Sequence, residues 1–120
     1  MPIAYIASPF RGIKLADPEI SESDAIAMAK QIAFYAARYV KEELGFIPLS
    51  PVLAFDRVYN DVYERDKVME ACKALIRISD VFIWVDTRWT QASEGMKLEQ
   101  AFAESIGLAV RVAEINPFAL

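Results

Sequence analysis

Apolar positions along the chain fall either in short unbroken runs or in longer stretches with helical spacing, and the two kinds alternate. Ile3 to Ala7 is an unbroken run closed by Ser8-Pro9, where proline ends regular pairing, and it predicts a first strand. Phe10 to Ile20 has neither period and carries Arg11, Gly12, Asp17 and Pro18, which predicts a loop. Ser21 with Asp24 three residues on has the form of a helix start, the hydroxyl capping free amides and the acid complementing the positive helix end. A long helix then runs to about Leu44, where Gly45 can take the left-handed conformation that closes it. Its apolar residues, among them Ile26, Met28, Ile32, Phe34, Tyr35 and Tyr39, cover more than one stripe. That breadth fits either a helix sunk between sheet and loops or one that forms part of a subunit interface.

Phe46 to Leu49 reads as a second strand, placed at a sheet edge because Pro48 cannot donate to a ladder. Val52 to Tyr63 mixes Leu53 and Phe55 with Asp56, Arg57, Asn60 and Asp61, as expected of a partly ordered loop that can cover a site. A helix from about Tyr63 to Ile78 turns Met69, Cys72, Leu75 or Ile76, and Ile78 inward. After Asp80, Val81 to Val85 is apolar at every position, the mark of a central parallel strand covered on both faces. A loop, Asp86 to Ala92, leads to a helix from about Ser93 to Ile106 that stops at Gly107, and Ala109 to Ala113 forms the last strand.

Strand and helix alternate with connections long enough for right-handed crossovers, so the expected fold is α/β: a three-layer, flavodoxin/Rossmann-like parallel sheet of about four strands, order 2-1-3-4, with helices on both faces. The 120 residues make a single domain, 1–120, with no internal repeat. In such sheets ligands bind at the carboxyl ends of the strands where successive connections diverge, here between the first and third strands.

Composition narrows the chemistry. Seventeen acidic against 13 basic residues give a net charge of −4, which argues against binding a nucleic-acid polymer and favours small or protein partners. Without histidine and with one cysteine, Cys72, the usual zinc sites and internal disulfides cannot be built, and no metal or cofactor is expected. No apolar run approaches the roughly 20 residues that span a bilayer and MPIAYIASPF lacks the form of a signal peptide, so no membrane association and a cytoplasmic location are expected. Phosphate-loop and dinucleotide glycine fingerprints are missing, which leaves carboxylates, hydroxyls and arginine for any catalysis.

The loops flanking the predicted crevice carry such groups: Ser8, Arg11 and Gly12 after the first strand, and Ser93, Glu94, Gly95 and Glu99 after the third. Ser93 is placed to cap the last helix, either as ordinary capping or as part of an anion seat at the positive helix end. Glu99 shares a helical face with Gly95, Phe102, Ala103 and Ile106, and helical side chains lean toward the N-terminus. It therefore points over Gly95, where a missing side chain leaves room for a ligand; a solvated glutamate paired with lysine is the competing reading. Tyr5 on the facing strand can orient Glu99 or simply fill the core. Asp66 can act as a general acid or merely favour a helix start. Of the two tryptophans, Trp84 reads as core and loop-borne Trp89 as the freer candidate to stack on a base.

Together, Tyr5-Ile-Ala-Ser-Pro-Phe-Arg-Gly12, the apolar-Pro-x-x-Pro segment Ile47 to Pro51, and Ser93-Glu-Gly-Met-Lys-Leu-Glu99 resemble the signatures of the nucleoside 2-deoxyribosyltransferase-like superfamily, over nearly the whole chain. The resemblance is closest to uncharacterised bacterial and phage members, and extends to the deoxynucleoside 5′-phosphate N-hydrolases. It implies that Glu99 attacks the anomeric carbon, that Tyr5 orients it, that Ser93 helps hold a 5′-phosphate, and that Ser8, Pro9, Arg11, Gly12 and Gly95 contact the substrate. It also implies a homo-oligomer, since relatives often build sites across subunits. The family's aspartate for the leaving base aligns near Cys72 without gaps, and Asp66 takes that role only if the helix from about Tyr63 to Ile78 carries an insertion. Ser8-Pro9 stands where the N-hydrolases have glycine and serine, and one of the superfamily's usual five strands is missing. The expected function is cleavage or transfer of the N-glycosidic bond of a deoxynucleoside or its 5′-monophosphate; the rivals are a nucleotide-binding or sensing module on the same fold and a purely structural oligomer.

Overall fold

The computed structural model describes residues 1–60 and 63–115. Four strands, β1 (Ile3–Ala7), β2 (Ile47–Leu49), β3 (Val81–Asp86) and β4 (Val110–Glu114), form one all-parallel sheet in the order β2-β1-β3-β4. Five α-helices accompany them among the described residues: α1 (Arg11–Ala16), α2 (Glu22–Tyr39), α3 (Pro51–Ala54), α4 (Arg65–Arg77) and α5 (Glu94–Ser105). The expected architecture and strand order are those observed.

The unbroken apolar character of β1 and β3 follows from cover on both faces. On one face Ala4, Ile6, Val81, Ile83 and Val85 pack with Ala25, Ala29, Ile32 and Ala36 of α2. On the other, Tyr5, Ala7 and Phe82 pack with Cys72 and Ile76 of α4 and Met96 and Ala103 of α5. Successive strand residues point to opposite faces, so one slip of register would exchange the two cores. The register sets Tyr5 opposite Phe82, and their rings stack with centroids 5.4 Å apart. At the strand starts, Ile3 N–H donates to Asp80 Oδ2 at 2.6 Å, which ties β1 to the turn before β3.

Ser21 caps α2 by accepting from Asp24 N–H at 3.1 Å. The helix ends in a five-residue π-turn, Val40–Leu44, closed by Gly45 at φ 73°. Pro48 lies on the outer strand β2, where a missing donor does no harm.

Four expectations change. Phe10 to Ile20 is not all loop, because α1 occupies six of its residues; the helix is too short to show a period and exists because Gly12 and Ile13 are buried against the core. Lys14 Nζ closes the following turn by donating to the carbonyls of Pro18, at 2.8 Å, and of Ile20. Val52 to Tyr63 begins inside α3, which Ser50 caps through Leu53 N–H at 3.3 Å with Pro51 as its first residue. Asp61, in that expected loop, and the tail from Asn116 lie outside the described residues. Ile78 faces solvent: it is the C-cap of α4, past the last turn that the helix lays on the sheet, and Cys72 and Ile76 carry the buried face. Ile106, expected on the inward face of α5, is likewise an exposed C-cap. No helix among the described residues is long and apolar enough to cross a membrane.

Candidate active site

At the carboxyl ends of β1 and β3 lies a cavity of about 430 Å³, within the usual range for a small-molecule site. One wall comes from the residues after β1 (Ser8, Phe10, Arg11) and another from the start of α5 (Ser93, Gly95, Glu99). Phe55, Asp56, Arg57 and Tyr59, which follow α3, and Arg65, the first residue of α4, close the third side.

The two loops from the sheet are locked together by close packing. A Cβ on Gly12 would lie 3.0 Å from both Ser93 N and Trp89 O, so only glycine lets α1 sit directly on the turn before α5. That turn is held from within by Thr90, whose hydroxyl donates to the Val85 carbonyl at 2.9 Å and accepts from Thr87 N–H at 2.9 Å. Trp89 closes the contact: its indole N–H donates to Asp17 Oδ2 at 2.7 Å, and the same oxygen pairs with Arg88 at 2.7 Å. Trp89 is therefore a core residue at 2% exposure, not a free stacking platform. A tryptophan flanked by polar residues reads as loop surface, and the acid that satisfies its N–H lies 72 positions away.

Ser93 caps α5, its hydroxyl accepting from Met96 N–H at 3.4 Å. Two residues on, a Cβ on Gly95 would meet nothing within 4 Å, so that position opens on the cavity. One turn further, Glu99 lines the cavity while its side chain is buried, and Tyr5 Oη donates to Glu99 Oε2 at 3.0 Å. Burial pushes the Glu99 carboxyl up to about 7, against which the Tyr5 hydrogen bond pulls in the opposite sense. The Tyr5 hydroxyl is raised well above its ordinary value, by burial first and by the neighbouring carboxylate second. Cys72 lines the same cavity floor; burial, and then Glu99, push its thiol up to about 12, so it stays protonated.

Of the sequence-derived candidates, the fold brings Ser8, Arg11, Ser93, Gly95 and Glu99 onto one cavity, with Tyr5 behind Glu99. Pro9 and Gly12 are buried but do not line it; Gly12 serves the packing of the two loops. Asp66 is exposed on the first turn of α4 and does not line it either, although its neighbour Arg65 does. Ser8 Oγ is buried on the cavity wall without a hydrogen-bond partner among the described residues, an arrangement that costs about 1–3 kcal/mol unless a ligand or solvent satisfies it. Sequence reasoning missed Asp56, Arg57 and Arg65, which lie in or beside the segment read as a covering loop; the dense charge of Asp56-Arg57 was the available signal. Asp56 is held by Lys30 at 2.8 Å. Among the described residues, no group of three or more acidic or cysteine side chains is arranged to hold a metal ion.

Fold and site together define a Rossmann-like α/β protein with a buried, tyrosine-held carboxylate on a ligand-sized cavity. The family model for a domain of unknown function, DUF7768, matches residues 2–113, and the chain belongs to that family. No curated protein matches it.

Proposed function

We propose that the protein cleaves or transfers the N-glycosidic bond of a deoxynucleoside or its 5′-monophosphate, with Glu99 as nucleophile. The observation that carries this reading is the Glu99 carboxylate itself, buried, held by Tyr5 through one oxygen and facing a cavity that opens over Gly95. Tyr5 engages Oε2, which leaves Oε1 to attack the anomeric carbon. The C–N bond breaks as the new C–O bond forms, and the base departs with the electron pair. A proton must reach it; besides Glu99, the carboxyl groups lining the cavity among the described residues are Asp56 and Glu94, and Asp66 is not among them. Water or a second base then attacks the glycosyl-enzyme ester and frees Glu99. Ser93 and the open end of α5 offer hydrogen-bond donors to sugar or phosphate oxygens.

Incubation with deoxynucleosides, ribonucleosides and their 5′-monophosphates, followed by chromatography for free base, tests the proposal. Base release by the wild type and not by Glu99→Gln supports it; full turnover by Glu99→Gln overturns it. The distance of Asp66 from the cavity favours one rival, a nucleotide-binding or sensing module that keeps the crevice without the chemistry. Saturable nucleotide binding with no product from any substrate would establish that rival. The proposal includes a cytoplasmic homo-oligomer, supported by the absence of a disulfide pair and by Phe34 and Tyr39 exposed on α2.

A further inference from the structure

We propose that Arg57 and Arg65 form an anion-reading lip on this cavity, and that its ligand carries a phosphate monoester at the solvent end, away from Glu99. The inference deepens the reading above and rests on it only in taking the sugar end to lie toward Glu99.

The charges around the cavity are unevenly compensated. Asp56 is neutralised by Lys30 at 2.8 Å, and Glu94 faces Lys97 at 3.4 Å. Glu64, next to Arg65, pairs with Lys67 at 3.6 Å instead. Arg57 and Arg65, by contrast, have no ion-pair or hydrogen-bond partner among the described residues, although both line the cavity. Two guanidinium groups without a counter-ion among the described residues, both lining the cavity, make a local positive field in a chain of net charge −4, and the guanidinium fork suits phosphate oxygens.

The backbone at Arg57 supports the same inference. It is the one non-glycine residue with positive φ, at 62°, among those described, in a turn closed by Val58 N–H to the Phe55 carbonyl at 3.0 Å. Glycine or asparagine would take this conformation at lower cost, so an arginine here trades backbone strain for the position of its side chain. Arg65 is fixed from the other direction. Asn60 Oδ1 accepts from Tyr63 N–H at 3.0 Å and Glu64 Oε1 from Asn60 N–H at 2.9 Å, and this reciprocal latch sets the first turn of α4. Deeper in, the unpartnered hydroxyl of Ser8 faces the same cavity and can meet a sugar oxygen.

Calorimetric titration with 2-deoxyribose 5-phosphate, 2-deoxyribose and inorganic pyrophosphate tests the lip without requiring turnover. The variants are Arg57→Asn, which removes the charge while tolerating the left-handed conformation, Arg65→Gln and the double substitution, with Arg38→Gln on α2 as a surface control. The phosphorylated sugar should bind at least about 10-fold tighter than the free sugar; each substitution should erode that preference and the double variant abolish it, while Arg38→Gln leaves it intact. Equal affinity for the two sugars, no saturable binding of the phosphorylated one, or a preference that survives the double substitution would each overturn the proposal. Pyrophosphate competing with the phosphorylated sugar in wild type but not in the double variant would confirm that the phosphate alone is read. Phosphate-dependent binding without base release would leave the lip standing and remove the N-glycosidic reading; base release indifferent to phosphate would do the reverse.

Discussion

The Tyr5 hydroxyl donates to Glu99 Oε2 across 94 positions of sequence, at 3.0 Å, inside the core that β1 and β3 share with α4 and α5. A carboxylate in such a place destabilises the fold whenever it is ionised and unliganded, and four measurable consequences follow from this pair and the glycines around it.

Glu99 has a folded pKa of about 7 against an ordinary 4.5, so the folded state holds its proton more tightly than the unfolded chain. Its contribution to stability is complete below about pH 4.5 and is lost as pH rises through about 7, a difference on the order of 3 kcal/mol at about 1.4 kcal/mol per pH unit. Glu99→Gln should therefore raise the melting temperature at pH 8 and have little effect at pH 4.5. Thermal unfolding of both proteins at the two pH values checks this; a variant destabilised at pH 8 would contradict the burial argument.

If Glu99 is the nucleophile, its ionised form does the work, and the initial rate should climb tenfold per pH unit below about 7 and level off above it. Tyr5→Phe removes the donor that favours the carboxylate, so the midpoint should move to higher pH and the plateau should fall. A profile that keeps its midpoint in Tyr5→Phe would separate the tyrosine from the reacting carboxylate.

Two glycines should behave oppositely. Gly12→Ala drives a methyl group to 3.0 Å from backbone atoms of Ser93 and Trp89, which cannot swing aside, and should cost about 1–3 kcal/mol in denaturant unfolding. Gly95→Ala meets open space in a helix and should stabilise the fold by about 0.5–1 kcal/mol while weakening ligand binding, because the methyl group projects where the cavity opens beside Glu99.

Asp66→Asn should leave base release within about twofold, since the carboxyl is exposed and off the cavity. A loss of two or more orders of magnitude would mean that the residue reaches the substrate by a rearrangement of α4.

The sheet could be read from sequence because its signals are local and strong: the five apolar residues Val81 to Val85, the proline on β2, and the caps Ser21 and Ser93 each act within a few positions. The apposition of Tyr5 and Glu99 followed from topology, since a facing strand and an inward helix position suffice to bring them near. Helix α1 escaped notice because six residues give no period, and its formation depends on burying Ile13. Trp89 reads as loop surface because its partner Asp17 is remote in sequence, and Arg57 reads only as part of a charged covering loop because the left-handed backbone that positions it leaves no local signature.

The inner strand β1 is also the first of the four to be synthesised, and its two neighbours are β2 and β3. Until the ribosome has delivered residues 81–86, one flank of that strand has no ladder partner in this domain, and the Ile3 to Asp80 tie, 77 positions apart, cannot form. Nascent chains therefore pass through a stage with an open apolar edge, and sheet closure must await a long-range, entropically costly step. Conditions that slow elongation between β2 and β3 should accordingly lengthen the window in which the growing polypeptide depends on chaperones.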